Sequence, residues 1–237
     1  MAKIDLKNAE IRLKDGTTGA GAVNNGGGYS ANATSMAVDG ITGEIMNNRT
    51  FTVVGSTLTH TINSHTPSSG NTTGLVFTPG LSGSVADDAV ITFGPNRLDI
   101  KIGEGNLSYS EKRNMEYVKD RGVLDTVREG DEEAIDIKFD AVWEFLRATT
   151  GSEAPTVEDV LKNQGEASAW VTSSADPCEP FALDLEIEYD PPCSGEYREI
   201  ILFPDFRYEE LAHDMRQGQI SVSGKSNATK PTITRVE

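Results

Sequence analysis

The chain has 237 residues, with 21 Lys plus Arg against 37 Asp plus Glu, a formal charge of −16. That length buries a sizeable core without covalent staples. That charge excludes a protein that grips nucleic acid by neutralising phosphates or docks on an anionic membrane face. Hydrophobic residues make up 37% and glycines number 23, which is a globular, loop-rich composition rather than a disordered one.

The first residues, Met1-Ala2-Lys3-Ile4-Asp5-Leu6-Lys7, carry charges every few positions and no apolar stretch. They predict no secretory leader and folding in the cytosol, and no apolar run further on is long enough for a transmembrane helix. Residues 9–14 read as a strand ending at the turn Asp15-Gly16.

A change of composition follows. Residues 24–97 hold four acids (Asp39, Glu44, Asp87, Asp88) and two bases (Arg49, Arg97), and are rich in Thr, Ser, Gly and Asn. Runs at 51–58, 75–78 and 89–93 are β-capable. The segment 17–96 therefore reads as an insertion: either a surface loop with little core of its own, or a small β add-on displayed outward. Residues 1–16 and 97–237 form the main domain.

Past the insertion, 98–102 reads as a strand and Gly103-Glu104-Gly105 as a turn. Residues 107–118 read as one strand of twelve residues, about 40 Å at 3.3 Å per residue, long enough to project beyond its own core and pair with partner chains. In 134–143, Ile135, Ile137, Phe139, Ala141 and Trp143 alternate with Asp136, Lys138 and Asp140, the pattern of a half-buried strand.

Val142, Phe145 and Leu146 have helical spacing up to Gly151. Thr156-Val157-Glu158-Asp159 sets a capping hydroxyl three residues before an acid, predicting a helix to about Gln164 that stops at Gly165. In 181–189, Phe181, Leu183, Leu185, Ile187 and Tyr189 alternate with Asp184, Glu186 and Glu188, a strand with an acidic outer face. Strands at 197–203, 219–223 and 232–236 complete a mainly β fold: a sandwich or barrel with one or two short flanking helices.

Chemistry is sparse. His60, His65 and His213 are too few and scattered for a metal or catalytic constellation, and no nucleophile elbow, zinc-protease pair, phosphate loop or calcium loop occurs. No cofactor or enzymatic activity is expected. Paired carboxylates in an acidic hydrolase would need a cleft that sequence does not reveal. Cys178 and Cys193 flank one strand and read as free thiols, a disulfide being the alternative and zinc lacking further ligands.

Several strings, none catalytic, carry a family resemblance by their number and order. Lys101-Ile102-Gly103-Glu104-Gly105-Asn106-Leu107-Ser108-Tyr109-Ser110-Glu111-Lys112-Arg113-Asn114 precedes Asp120-Arg121-Gly122-Val123-Leu124-Asp125-Thr126-Val127-Arg128-Glu129-Gly130-Asp131-Glu132. Then come Phe139-Asp140-Ala141-Val142-Trp143-Glu144-Phe145, Ala175-Asp176-Pro177-Cys178, Leu202-Phe203-Pro204-Asp205-Phe206-Arg207-Tyr208 and Ser221-Val222-Ser223-Gly224-Lys225-Ser226-Asn227-Ala228-Thr229. This pattern resembles the major tail tube proteins of long-tailed, non-contractile bacteriophages over residues 1–15 and 98–237, and departs from them at the insertion.

The resemblance implies a β-sandwich flanked by a helix, usually hexameric rings whose inner β-barrel is completed across subunits, and head-to-tail stacking into a tube. It implies a virion tail protein assembled in the bacterial cytoplasm, with tape-measure, tail-tip and terminator proteins as partners. DNA would pass through without sequence-specific binding, eased by a carboxylate-lined lumen that repels phosphate. Asp184, Glu186 and Glu188 are candidate lumen residues, an outer solvated face being the alternative. Asp120, Arg121, Asp125, Arg128 and Glu129 offer mixed charges for stacking, a local salt-bridged turn being theirs. A non-tube adhesion module that binds host glycans through the insertion is the rival function.

Overall fold

The computed structural model describes residues 9–42, 45, 49–68, 71–100, 107–142, 155–189 and 197–236, and the protein is mainly β. It divides into two compact units. One comprises Met1–Leu13, Asp99–Phe145 and Asp176–Glu237; the other comprises Lys14–Leu98 and Leu146–Ala175. The expected helical flank, Leu146–Ala175, thus groups with the insertion rather than with the main domain.

After β1 (Ala9–Lys14), the insertion forms β2 (Gly19–Val23), β3 (Ser35–Asp39), β4 (Thr50–Val53), β5 (His60–Ser64), β6 (Pro67–Ser68), β7 (Asn71–Thr78) and β8 (Val90–Phe93). Hydrogen bonding runs β3-β2-β8-β4-β5-β7, and β7 pairs back with β3, closing a six-strand barrel to which β6 is appended. The expectation of a loop with little core is corrected here. Alternate residues Val23, Met36, Val38, Phe51, Val53, Ile62, Leu75, Phe77, Ile91 and Phe93 turn inward into one core. Outward positions such as Thr52 and Thr92 are β-branched, so the low charge of the segment goes with high strand propensity. Phe51 and Phe77 meet edge to face at 5.2 Å between ring centroids. At Gly21 a Cβ would lie 2.9 Å from a Val38 methyl, so the close approach of β2 to its neighbours needs glycine.

The neck of the barrel is tied by Asp15, 2% exposed. Its carboxylate accepts from Thr17 N at 3.1 Å, Asn96 N at 2.7 Å, Asn96 Nδ2 at 3.0 Å, Val171 N at 3.2 Å and the Thr17 hydroxyl. A charged group so supplied with donors satisfies the backbone where the chain enters and leaves the barrel.

The one α-helix of the described residues, α1 (Val157–Lys162), has a full capping box between Thr156 and Asp159 and buries Val160 and Leu161. It ends two residues earlier than expected because Asn163, at φ 50°, takes the left-handed C-cap conformation, and Gly165 opens a short 3-10 turn.

The other unit is built on an eight-stranded sheet, in the order β10 (Leu107–Ser110), β13 (Ile135–Val142), β16 (Gln219–Ser226), β15 (Arg198–Asp214), β14 (Leu183–Tyr189), β1 and β9 (Arg97–Ile100), with β17 (Thr232–Val236) also on β15. β15 is 17 residues long and serves both halves of the sheet. Residues 199–206 pair with β14, and 206–214 pair with β16. Asp205, at φ 50°, marks the irregularity where the pairing changes hands. The sequence expectation ended this strand at 203 because its second half is polar and exposed, with no buried face to alternate.

The expected single strand at 107–118 is two strands in different sheets. β10 stops at Ser110, Glu111 and Lys112 interrupt it, and β11 (Arg113–Asp120) pairs only with β12 (Val123–Glu132). Lys112 turns back to bridge Asp136, which fixes the break. The residues expected at the Gly103-Glu104-Gly105 turn, at Trp143, at Phe145 and at Cys193 lie outside the described residues.

Candidate assembly surfaces

On β14, Leu183, Leu185 and Ile187 face the core as expected, but the opposite face is no row of solvated acids. Glu186 and Glu188 are each 8% exposed. Arg12, from neighbouring β1, bridges Glu188 and Glu10, lies 3.3 Å from Glu186 and 3.5 Å from Asp99, and Arg198 caps the other oxygen of Glu188. Burial works against the charge on Arg12, yet the Glu10 hydrogen bond and the fields of Glu188, Glu10 and Asp99 outweigh it and raise its pKa above the ordinary arginine value. Asp184 is half-buried and accepts the Asp205 N–H at 3.1 Å.

The stacking candidates all fall on the β11–β12 hairpin. Arg121 (φ 48°) and Gly122 (φ 86°) form its two-residue turn between the paired Asp120 and Val123, the left-handed pair that a tight hairpin requires. Glu116 sits opposite Arg128 and Met115 opposite Glu129, while Asp125 falls at the register shift between the Val118–Thr126 and Lys119–Leu124 pairs. Nearly every residue of the hairpin is exposed, including Tyr117 at 61%, Val123 at 70%, Leu124 at 61% and Val127 at 52%. The ribbon thus leaves a set of large apolar side chains open to solvent.

The four strands β10, β13, β16 and the second half of β15 share one register. Leu107, Ile137, Phe139, Ala141, Ile220 and Val222 lie on the inner face; Ser108, Asp136, Lys138, Asp140, Glu210, Ser221 and Ser223 lie on the outer. A shallow groove of about 320 Å³ lies on this face, lined by Lys138, Asp140, Glu210 and serine hydroxyls. Ser221 donates to Asp140 at 2.6 Å, and Asp136, beside the Lys112 hydrogen bond and the charges of Lys112, Lys225 and Lys138, is held below the usual carboxylate range. Among the described residues both margins of this four-strand region are open: β10 pairs with β13 alone, and 207–214 of β15 pair with β16 alone.

His60 is fully buried between Phe51 and Phe77, with Nδ1 at 2.7 Å from the Pro79 carbonyl and Nε2 at 3.0 Å from Ser56 Oγ. The carbonyl only accepts, so Nδ1 is the donor of the Pro79 contact. Ser56 Oγ is in turn held by Ser82 N–H at 3.2 Å and Ser82 Oγ at 3.0 Å. This hydroxyl ties two loops of the barrel together. Cys178 is exposed, and no cluster of three or more His, Cys, Asp or Glu side chains suited to a metal occurs among the described residues. No helix of the described residues is long and apolar enough to cross a membrane.

Comparison with known proteins finds no matching family model, no matching curated protein and no matching solved structure.

Proposed function

We propose that this chain is a structural protomer of a bacteriophage tail tube, assembling as rings that stack into a hollow conduit for DNA, with no enzymatic role. The observation that carries the proposal is the pair of open margins on the four-strand region. Exposed strand edges are templates for further pairing, and monomeric proteins cover or close them. Here the β10 edge of one copy and the 207–214 edge of the next leave complementary unpaired backbone, so repetition around an axis closes a barrel with no edges left. The barrel unit, whose strands close on themselves, has no part in this and decorates the assembly.

The outer face of the four strands supports the lining role better than β14, whose Glu186 and Glu188 are bound by arginines. Asp136, Asp140, Glu210 and serines lie on it together with Lys138 and Lys225, and Asp136 is bridged by Lys112, so acids and bases are interleaved rather than gathered into a cationic groove that would hold phosphate. The β11–β12 hairpin then serves stacking between rings.

Negative-stain electron microscopy of the concentrated protein tests the assembly directly. Hollow tubes of uniform diameter are expected, and deletion of residues 20–94 should leave them intact. Compact monomers under all conditions, together with glycan binding lost on that deletion, would overturn the proposal in favour of an adhesion module.

A further inference from the structure

The chain enters the barrel at Gly19, opposite Phe93 where it leaves, so the antiparallel strands gather the loops 24–34, 54–59 and 79–89 at the end away from the Asp15 neck. Backbone pairing knits these loops together. Tyr29 and Val85 exchange N–H bonds at 2.8 and 2.9 Å, and Asn32 N donates to the Leu81 carbonyl at 2.7 Å. At the head of the first loop stands Asn25-Gly26, the only Asn-Gly pair of the sequence. Asn25 Oδ1 accepts the Gly27 N–H at 3.3 Å, its Nδ2 donates to the Gly28 carbonyl at 2.7 Å, and its N–H is held by Asp87 Oδ1 at 2.8 Å. The carboxamide is thereby folded forward along the Gly26 peptide. The Gly26 N–H donates to no group among the described residues, and Gly26 and Gly27 are both exposed.

We propose that Asn25 is a site of spontaneous deamidation in the folded protein. Asparagine is among the chemically labile side chains, and here each requirement of the reaction is met by a named group. The Gly26 peptide nitrogen, free of a hydrogen-bond partner and unshielded by any Cβ, gives its proton to solvent base and bonds to Asn25 Cγ. The Gly27 N–H on Oδ1 is placed to stabilise the oxyanion that forms as the carbonyl becomes tetrahedral. The bond from Cγ to Nδ2 then breaks, the nitrogen takes a proton from water and leaves as ammonia, and a cyclic succinimide remains. Water opens that ring at either carbonyl, giving aspartate or, with the backbone rerouted through Cβ, isoaspartate; nothing is oxidised or reduced. The product places a new carboxylate beside Asp87, at a loop cluster whose only charged side chains are Asp87 and Asp88. It also replaces the Nδ2 donor that met the Gly28 carbonyl by an acceptor oxygen, so two acceptors face each other. The turn then loses its hold on Gly28, next to the Tyr29–Val85 bridge, while the barrel core beneath keeps its packing.

Mass spectrometry of the full chain aged in mildly alkaline buffer, native and in urea, tests the site. Fragment mapping should find a gain of about 1 Da at Asn25, formed in the native chain at a rate within about tenfold of the urea-unfolded chain, and an isoaspartyl methyltransferase should label the same peptide. Gly26→Ala keeps the fold, since its Cβ would meet nothing within 4 Å, and should slow the reaction at least about tenfold. Asn25→Asp should speed amide exchange at Gly28, Tyr29 and Val85 at least about tenfold while leaving Phe51 and Phe77 within about twofold. A native rate more than about tenfold below the unfolded one would overturn the site, an unchanged rate in Gly26→Ala would overturn the assigned nucleophile, and unchanged exchange in Asn25→Asp would overturn the loosening of the loop.

Discussion

Replacing Arg12 by alanine tests whether the carboxylates of β14 are bound into the protomer. The substitution removes the guanidinium from Glu10, Glu186, Glu188 and Asp99 at once. Glu188 retains Arg198, whose own side chain is 44% exposed, so part of its charge stays compensated. Glu186 loses Arg12 while remaining 10% exposed at the side chain. Removing one partner of a buried ion pair costs about 3–5 kcal/mol, and the surviving Arg198 on Glu188 and the remaining interaction of Glu186 put the expected loss near the lower bound, about 3 kcal/mol. With a urea slope of about 1–3 kcal/mol/M, the unfolding midpoint should fall by about 1–3 M, with faster amide exchange along β1 and β14. Arg12→Lys keeps charge without the planar fork and should lose less. Arg12→Met with Glu186→Met should recover most of the loss, because the buried charge is removed together with its partner. A loss of about 1 kcal/mol or less for Arg12→Ala would be the value of a surface ion pair and would refute the burial argument.

Other perturbations address the remaining elements. Phe77→Ala, at a wholly buried site in the barrel, should cost about 3–5 kcal/mol, read as accelerated amide exchange in β5 and β7 with β13–β16 exchange unchanged. Thr156→Ala should cost about 1 kcal/mol by removing the capping box, and Thr156→Ser should restore it, measured by urea denaturation. Asp136 is held low by Lys112, so its contribution is complete above the ordinary aspartate value, about 3.9, and is lost as pH falls through the lowered one. Carboxyl NMR titration should place Asp136 below 3.9, and Lys112→Ala should return it to the ordinary range. Arg128→Glu sets two acids across the ribbon at Glu116 and should shorten tubes in electron microscopy without changing the protomer's circular dichroism.

Elements whose two faces differ were legible in the sequence. The alternation of Ile135, Ile137 and Phe139 set the buried face of β13, and the Thr156–Asp159 spacing set the start of α1. Parity also placed Asp184, Glu186 and Glu188 on the face opposite the core, but alternation carries no information about an arginine arriving from a strand more than 170 residues away. The barrel was hidden for a related reason. Its strands are four to eight residues long, its outward positions are threonine, alanine and valine rather than charged residues, and closure depends on the β3–β7 pairing, which joins segments distant in sequence. In β11 and β12 neither face is buried, so no periodicity exists to mark the break after Ser110.

The Asp15 clasp makes the insertion a socket. Entry and exit of the excursion meet on one carboxylate, through Thr17 on one side and Asn96 on the other. A foreign domain whose own ends lie close together could therefore be grafted between them with little demand on the strands before and after. The third residue on that carboxylate, Val171, donates its N–H from beyond the insertion, so a graft that keeps Asp15, Thr17, Asn96 and Val171 keeps the clasp whole.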